Sequence, residues 1–465
     1  MLWKRLLDAV MELRPAFTRE KTFLWFITVV MAFCIREDMN GVTSFVRCLD
    51  FLPTTYPLFL NFFHSSSVRL SQLRTMWAGL CLKLFEDSLV KFNGRIVLLA
   101  DGIKNPKEGR KMPGVKNLHQ ESTNNSKPEY VMAHSCQAIC LLAKGVLTFF
   151  AVPLACAIHE GTITSNRDTK TLHDKLMILL DELQISVSYY FVADAFYASR
   201  KIINPLLEKK QHLISRVRSN AVAYLPNLSS SKKRGRPQKY GKKIKLKDIF
   251  DSVKTFSIVE SPFNGEKGID LKFFSMDLIW KPVGKIIKFV WVVHPTKGKW
   301  LLCSTDLEMM PIQIIELYGL RFRIELTFKQ AIYQMGAFGY HLWMKGMDKI
   351  KKCSSDQFLH RKTYEYRGAV SRKLQAYEVF IQCGLIALGL LQYLAISNPL
   401  KIYAQSQTWY RSINTTKTPS ETIVAKALQN THSEFIQTLQ KGHIFTKFLI
   451  SHLRNYFKIR KKSAA

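Results

Sequence analysis

Apolar residues recur at the three- and four-residue spacing of helices over Lys21–Ile35, Gly41–Leu49, Thr55–Phe63 and Ser71–Phe85, so residues 1–90 are expected to be a helical domain. Short helices carrying Arg47, Arg69 and Arg74 suit either a DNA-reading unit or an ordinary helical bundle. From Gly94 the period changes. Arg95–Ala100, Tyr130–Leu142 and Val146–Pro153 are apolar runs of strand length, and Thr169–Leu183 returns to helical spacing. Val187–Ala193 reads as a fourth strand, Ser199–Lys210 as a helix and His212–Arg218 as a fifth strand.

That order, β-β-β-α-β-α-β, predicts an α/β, ribonuclease-H-like core beginning in residues 91–220. The next segment, 221–310, opens with a basic stretch in which nine of the sixteen residues from Lys232 to Lys247 are Lys or Arg, expected as a solvated loop. Runs at Thr255–Val259, Leu271–Trp280, Ile286–Val293 and Trp300–Ser304 then predict a β-rich insertion. Helical spacing resumes at Pro311, giving a core helix over 311–345 that contains Glu325. A polar, basic link around Lys345–Arg372 leads into a C-terminal helical region over 346–465, suited to DNA contact or dimerisation.

Composition narrows the function. The net charge of +33 would draw a polyanion strongly, with nucleic acid the first candidate and a ribosomal or anionic-membrane surface the alternatives. No membrane partner is expected: Thr22–Cys34 is too short to span a bilayer, and Val379–Ile396, interrupted by Gln382 and Gln392, reads as a buried core helix. Met1–Arg14 lacks the pattern of a signal peptide. Nine scattered cysteines without a C-x-x-C pair read as reduced core residues, so the expected location is the cytoplasm, in association with the nucleoid.

Asp101 directly follows the run Arg95–Ala100 and Asp194 directly follows Val187–Ala193, so both carboxylates are expected at strand ends, where α/β sheets hold ligands. In Tyr318-x-x-Arg321-x-x-x-Glu325, steps of three and four residues put all three side chains on one helical face. Arg321 could there meet a DNA phosphate or steady the Glu325 carboxylate.

The stretches ADGIK at 100–104, VADAF at 192–196 and YGLRFRIELTFKQ at 318–330 resemble the three carboxylate motifs of the DDE transposases of bacterial insertion sequences. The third is similar to the Tyr-Arg-Glu-Lys signature of the cut-and-paste subgroup, in which a β-rich insertion separates the second aspartate from the glutamate. The resemblance implies that Asp101, Asp194 and Glu325 are catalytic and hold two Mg²⁺ ions, with Mn²⁺ able to substitute, Asp101 bridging both. It also implies an enzyme that cleaves DNA ends and joins them to target DNA, working as a homodimer in a synaptic complex. The subgroup's lysine falls seven residues after the glutamate, where this chain has Ile332; Lys329, one turn beyond Glu325, is the candidate substitute.

Further DNA-binding candidates surround these motifs. Tyr318, Arg321 and Lys329 belong to the signature, while Lys104, Lys107, Arg110, Lys111 and Lys116 are expected in a loop after Asp101 with His119 and Gln120. Arg234 and Arg236, in an Arg-Gly-Arg-Pro run, resemble a minor-groove hook or would hold phosphate. The subgroup stacks a tryptophan of the insertion on a flipped base, for which Trp280, Trp291 and Trp300 are candidates, Trp300 foremost. His134 and His159-Glu160 are expected to be structural. Two other readings stay open: a transposase-derived DNA-binding protein with weakened catalysis, and a nuclease of the same fold.

Overall fold

The computed structural model describes residues 2–39, 41–120, 128–218, 220–227, 239–253, 255–263, 265–408, 413–439 and 443–454. The chain opens with helices α1 (Leu2–Met11), α2 (Glu20–Ile35), α3 (Thr43–Cys48), α4 (Tyr56–Phe63) and α5 (Leu70–Leu84). Nearly every residue of α2 from Phe23 onward is buried, because its apolar side chains surround the whole helix and it must be enclosed by others.

A sheet follows, with strands β1 (Lys91–Phe92), β2 (Arg95–Pro106), β3 (Lys116–His119), β4 (Tyr130–Gly145), β5 (Thr148–Ile158) and β6 (Thr162–Ile163). Helix α6 (Leu172–Glu182), strand β7 (Tyr189–Ala193), helix α7 (Arg200–Glu208) and strand β8 (His212–Arg216) complete the expected order. β5 lies antiparallel to β4 and β4 antiparallel to β2, whereas β2, β7 and β8 run parallel. This mixed sheet is consistent with the ribonuclease-H-like expectation. Central β2 and β7 are apolar throughout their buried lengths because both faces are covered.

The insertion contributes β9 (Val222–Pro226), β10 (Tyr240–Lys245), the short α8 (Ile249–Ser252), β11 (Ser257–Glu260), β12 (Asp270–Trp280), β13 (Lys285–His294) and β14 (Gly298–Ser304). It continues the core sheet, since β14 pairs with β8 through Leu302–Arg216 and Cys303–Ser215. Part of the basic stretch expected as loop is therefore strand: β10 pairs with β9, with Ile244 opposite Ala223, and Lys242, Lys243 and Lys245 are exposed on it. Arg234 and Arg236 lie outside the described residues.

Helices α9 (Pro311–Leu320) and α10 (Arg323–Tyr333) return to the core, and a short β15 (Gln357–Phe358) precedes α11 (Tyr364–Ser397), α12 (Pro399–Ser406), α13 (Glu421–Thr438) and α14 (Ile444–Ile450). The apolar part of α11 is long enough to cross a membrane by length and composition, yet it is buried within the protein. Its two glutamines have buried partners, Gln382 donating to the Leu154 carbonyl at 2.9 Å and Gln392 to Glu421 at 2.9 Å. The helices of 1–90 do not close a core of their own: α2 packs on α11 and α13, and α5 on α11 and β5, within one continuous apolar core.

Strand β5 is closed off by side chains. Its outward carbonyls at Ala151 and Pro153 accept from Thr327 at 2.7 Å and Trp77 at 2.8 Å. A bulge opposite Ile139 and Cys140 then shifts the strand by one residue, so Leu154 and Cys156 point outward and accept from Gln382 at 2.9 Å and Arg74 at 2.8 Å. Pro153, which has no N–H to give, sits at that irregularity.

Candidate active site

The parallel pairing of β2 with β7 ends at Ala100 opposite Ala193, and the next residue of each strand is an aspartate. Asp194 is at a strand end, as expected: it caps the short turn Ala195–Tyr197, its Oδ1 accepting from the Phe196 N–H at 3.0 Å. Asp101 is not. β2 runs on to Pro106 because Asp101–Pro106 keep their ladder with Ala133–Ala138 of β4. Asp101 thus sits in mid-strand, at the point where β7 peels away and opens space beside it.

The third carboxylate comes from a tightened turn. One unbroken helix was expected across Tyr318 and Glu325, but α9 and α10 are separated at Arg321 and Phe322, where Arg321 N bonds Tyr318 O, and Ile324 N bonds Arg321 O, each three residues back. Such a local 3₁₀ geometry preserves the intended face while turning the chain. Thr327, donating to Ala151 of β5, holds α10 against the sheet.

Arg321 joins the site together. Its Nη1 donates to Asp101 Oδ2 at 2.7 Å and its Nη2 to Glu325 Oε1 at 2.7 Å, while the guanidinium lies 5.8 Å from the Tyr318 ring centre. Its Nε is buried with no hydrogen-bond partner found among the described residues. Burial pushes the Asp101 carboxyl up to about 6; Arg321 opposes this, and the charges of Asp194 and Glu325 add to it. Burial also raises the Tyr318 hydroxyl, against the pull of Arg321 and Arg216.

Among the described residues no three His, Cys, Asp or Glu side chains form a group ready to hold a metal ion. The donor chemistry nonetheless fits a hard divalent cation, which takes carboxylate oxygens, and the positive charge there now belongs to Arg321.

Other expected residues scatter. Lys329 is exposed one turn beyond Glu325, and Ile332 is half-buried against the core. The expected basic loop is strand at both ends, β2 reaching Pro106 and β3 starting at Lys116: strand alternation sends Lys104 to the face opposite Asp101, where its Nζ reaches the His119 carbonyl at 2.5 Å. Lys107 is buried, donating to the carbonyls of Phe338 at 2.5 Å and Tyr340 at 3.2 Å, and burial lowers its pKa to about 8. Lys116, in β3, pairs with Glu160 at 3.2 Å and Asp356 at 3.1 Å. Both are engaged within the protein, Lys107 by backbone carbonyls and Lys116 by carboxylates.

Trp291 is fully buried, its Nε1 donating to Leu246 O at 2.6 Å, and Trp280 is buried. Trp300 is half-buried between Phe263 and His294, at ring-centre distances of 5.7 and 5.6 Å, with its N–H given to Lys297 O. His134 is structural as expected, bound to Tyr340 Oη at 2.7 Å and Pro113 O at 2.9 Å.

Sequence reasoning missed the residues that hold the Asp194 turn. Ser215 of β8 donates to the Asp194 carbonyl at 2.7 Å, and Tyr197 Oη accepts from Gln137 at 2.9 Å, whose Oε1 in turn meets His159 Nδ1 at 2.6 Å. Arg216, exposed at the end of β8, is a further cation beside Tyr318. Its position at a strand end next to the aspartates was the available signal.

Residues 106–339, half of the chain, match the family model described as the transposase DDE domain, a stretch that includes Asp194 and Glu325 and starts five residues after Asp101. No curated protein matches. Among solved structures the chain is similar to one titled as a piggyBac transposase synaptic complex with hairpin DNA, determined by cryo-electron microscopy. The identity is 13%, covering 94% of this chain and 76% of that chain, with a TM-score of 0.38. On the family match, this chain belongs to the transposase DDE domain family.

Proposed function

We propose that the protein is a cut-and-paste transposase that binds the terminal inverted repeats of its own element, cleaves the DNA ends and joins them to target DNA. The observation that carries this reading is the meeting of Asp101 and Glu325 on Arg321, beside Asp194. Asp101, Asp194 and Glu325 would hold divalent metal ions, Mg²⁺ with Mn²⁺ as substitute, which when bound activate the attacking water and stabilise the leaving oxygen.

The chain's own residues set the geometry. β2 and β7 would carry the two aspartates at the point where their parallel pairing ends, and the Thr327 bond to β5 would anchor α10, which bears Glu325. Arg321 is placed to exchange its carboxylates for the scissile phosphate, with Tyr318 supporting the guanidinium plane. In the first step a water oxygen bonds to phosphorus and the P–O3′ bond breaks, the water's proton passing to the leaving oxygen or solvent. In the second, the freed 3′-hydroxyl oxygen bonds to a target phosphorus while that phosphorus loses its own P–O3′ bond, and the released target 3′-oxygen takes up the proton given up by the attacking hydroxyl, so the number of phosphodiester bonds is conserved. Two protomers would pair the two ends.

The test mixes purified protein with labelled duplex carrying an element end and Mg²⁺. Cleavage followed by joining is expected from the wild type. Asp101→Asn, Asp194→Asn and Glu325→Gln should each retain binding and lower cleavage by about 10³-fold or more, the scale on which loss of electrostatic stabilisation acts. Retention of DNA by the wild type without nicking would instead support a non-cleaving DNA-binding protein, the reading favoured by the half-buried Ile332 at the signature lysine's position. Cutting without joining would make it a nuclease.

A further inference from the structure

The basic segment after α10, which in sequence looks like a link, is an ordered lobe. Met344, Met347, Leu359 and Val370 form an apolar cluster separate from the main core. Backbone bonds attach the lobe to the segment between β2 and β3 and to β3 itself: Met344 N to Lys111 O at 3.0 Å, Ile350 N to Arg110 O at 2.8 Å and Asn117 N to Ser354 O at 2.8 Å. β15 also pairs in parallel with β6, and Asp356 binds both Lys116 and the Gly161 N–H.

Residues 343–373 contain nine Lys or Arg and three acidic residues. Two of those acids are already engaged, Asp356 by Lys116 and Asp348 by Lys362 at 3.1 Å. Lys349, Lys351 and Lys352 are exposed at a cleft of about 570 Å³ and make no ion pair among the described residues. Exposed Phe358 and Tyr364 lie on the same lobe.

We propose that this lobe is a second DNA-binding surface, in which Lys349, Lys351 and Lys352 take backbone phosphates of a duplex outside the carboxylate site. The inference rests on the reading that the chain acts on DNA. A backbone held by its own apolar cluster loses little freedom when its lysines meet phosphate, and the ion pairs of Asp356 and Asp348 leave those lysines without a competing carboxylate partner among the described residues. A rigid mount of this kind suits a regular phosphate row better than a fluid lipid surface.

The test uses the full chain with Lys349→Ala, Lys351→Ala and Lys352→Ala combined. Binding to a random-sequence duplex is followed from about 50 to about 200 mM salt, where each lost phosphate contact should lower the logarithmic salt slope by about 0.9, or by roughly 2 to 3 for the triple variant. An unchanged melting temperature is expected from exposed side chains, and the corresponding triple Lys→Arg protein should regain the slope. A triple variant with wild-type slope overturns the lobe, as does one that loses only its binding to vesicles of equal parts phosphatidylserine and phosphatidylcholine. Failure of the wild type to bind any duplex would instead overturn the DNA reading itself.

Discussion

Arg321 reaches Asp101 across 220 residues of chain, donating one guanidinium nitrogen to it at 2.7 Å while the other holds Glu325. A positive charge is thereby fixed where the family's metal ions would be held, so protein without DNA is expected to bind metal against competition from its own arginine. Arg321→Gln should bind Mn²⁺ in the absence of DNA about tenfold more tightly, the worth of one hydrogen bond to a charged group. The same substitution should reduce DNA cleavage. Unchanged Mn²⁺ affinity, measured by titration calorimetry, would remove Arg321 from competition with metal.

Lys329 is the exposed cation nearest in sequence after Glu325, and Ile332 is packed partly into the core. Lys329→Ala is therefore expected to slow cleavage by about tenfold, the scale of one charge-assisted contact, without lowering thermal stability. Undiminished cleavage of a labelled element end would show that Lys329 plays no part in place of the signature lysine.

Buried Arg74 holds Glu378 at 2.9 Å, Glu182 at 3.5 Å and the Cys156 carbonyl. Arg74→Met should cost about 3 kcal/mol, because it leaves two carboxylates without their cation at a mostly dry site. Arg74→Lys should recover only part of this, one ammonium being unable to span three acceptors in the guanidinium's plane. Urea unfolding of the three proteins measures the difference.

Pro113 O can only accept, so His134 Nε2 carries the proton and Nδ1 accepts from the Tyr340 hydroxyl. Burial lowers the His134 pKa from 6.5 to about 3, with the nearby Lys107 charge acting in the same direction. Between those values the unfolded chain binds the proton and the folded chain does not. The contribution is thus full above pH 6.5 and lost as pH falls toward 3, at up to about 1.4 kcal/mol per pH unit. His134→Gln should unfold with a shallower acid dependence over that window; an identical slope would show that His134 does not govern it.

Strands β2 and β7 were legible because central parallel strands, apolar on both faces, leave uninterrupted runs, and the two aspartates ending those runs were legible with them. The reach of β2 past Asp101 was not, since Gly102–Pro106 owe their strand geometry to a ladder with β4 that no local pattern encodes. Burial of Lys107 and the pairing of Lys116 were hidden for a similar reason: their acceptors, Phe338 and Asp356, lie more than 200 residues away. In α11 the glutamines were visible as interruptions of an apolar helix, and the structure supplies their partners in β5 and α13. The shared core of the N- and C-terminal helices depends on which apolar faces meet, which spacing within each helix does not specify.

The closed edge of β5 bears on how the chain must be made. Trp77 and Arg74 precede that strand, but Thr327 and Gln382 follow their acceptors by 176 and 228 residues. During synthesis the strand therefore emerges from the ribosome long before its last cover, exposing unpaired carbonyls next to a strongly apolar neighbour. A fragment ending ahead of α11 keeps Arg74, Trp77 and Thr327 but lacks Gln382, so the Leu154 carbonyl would stay uncovered at the edge, and α11 serves β5 as the last of its covers.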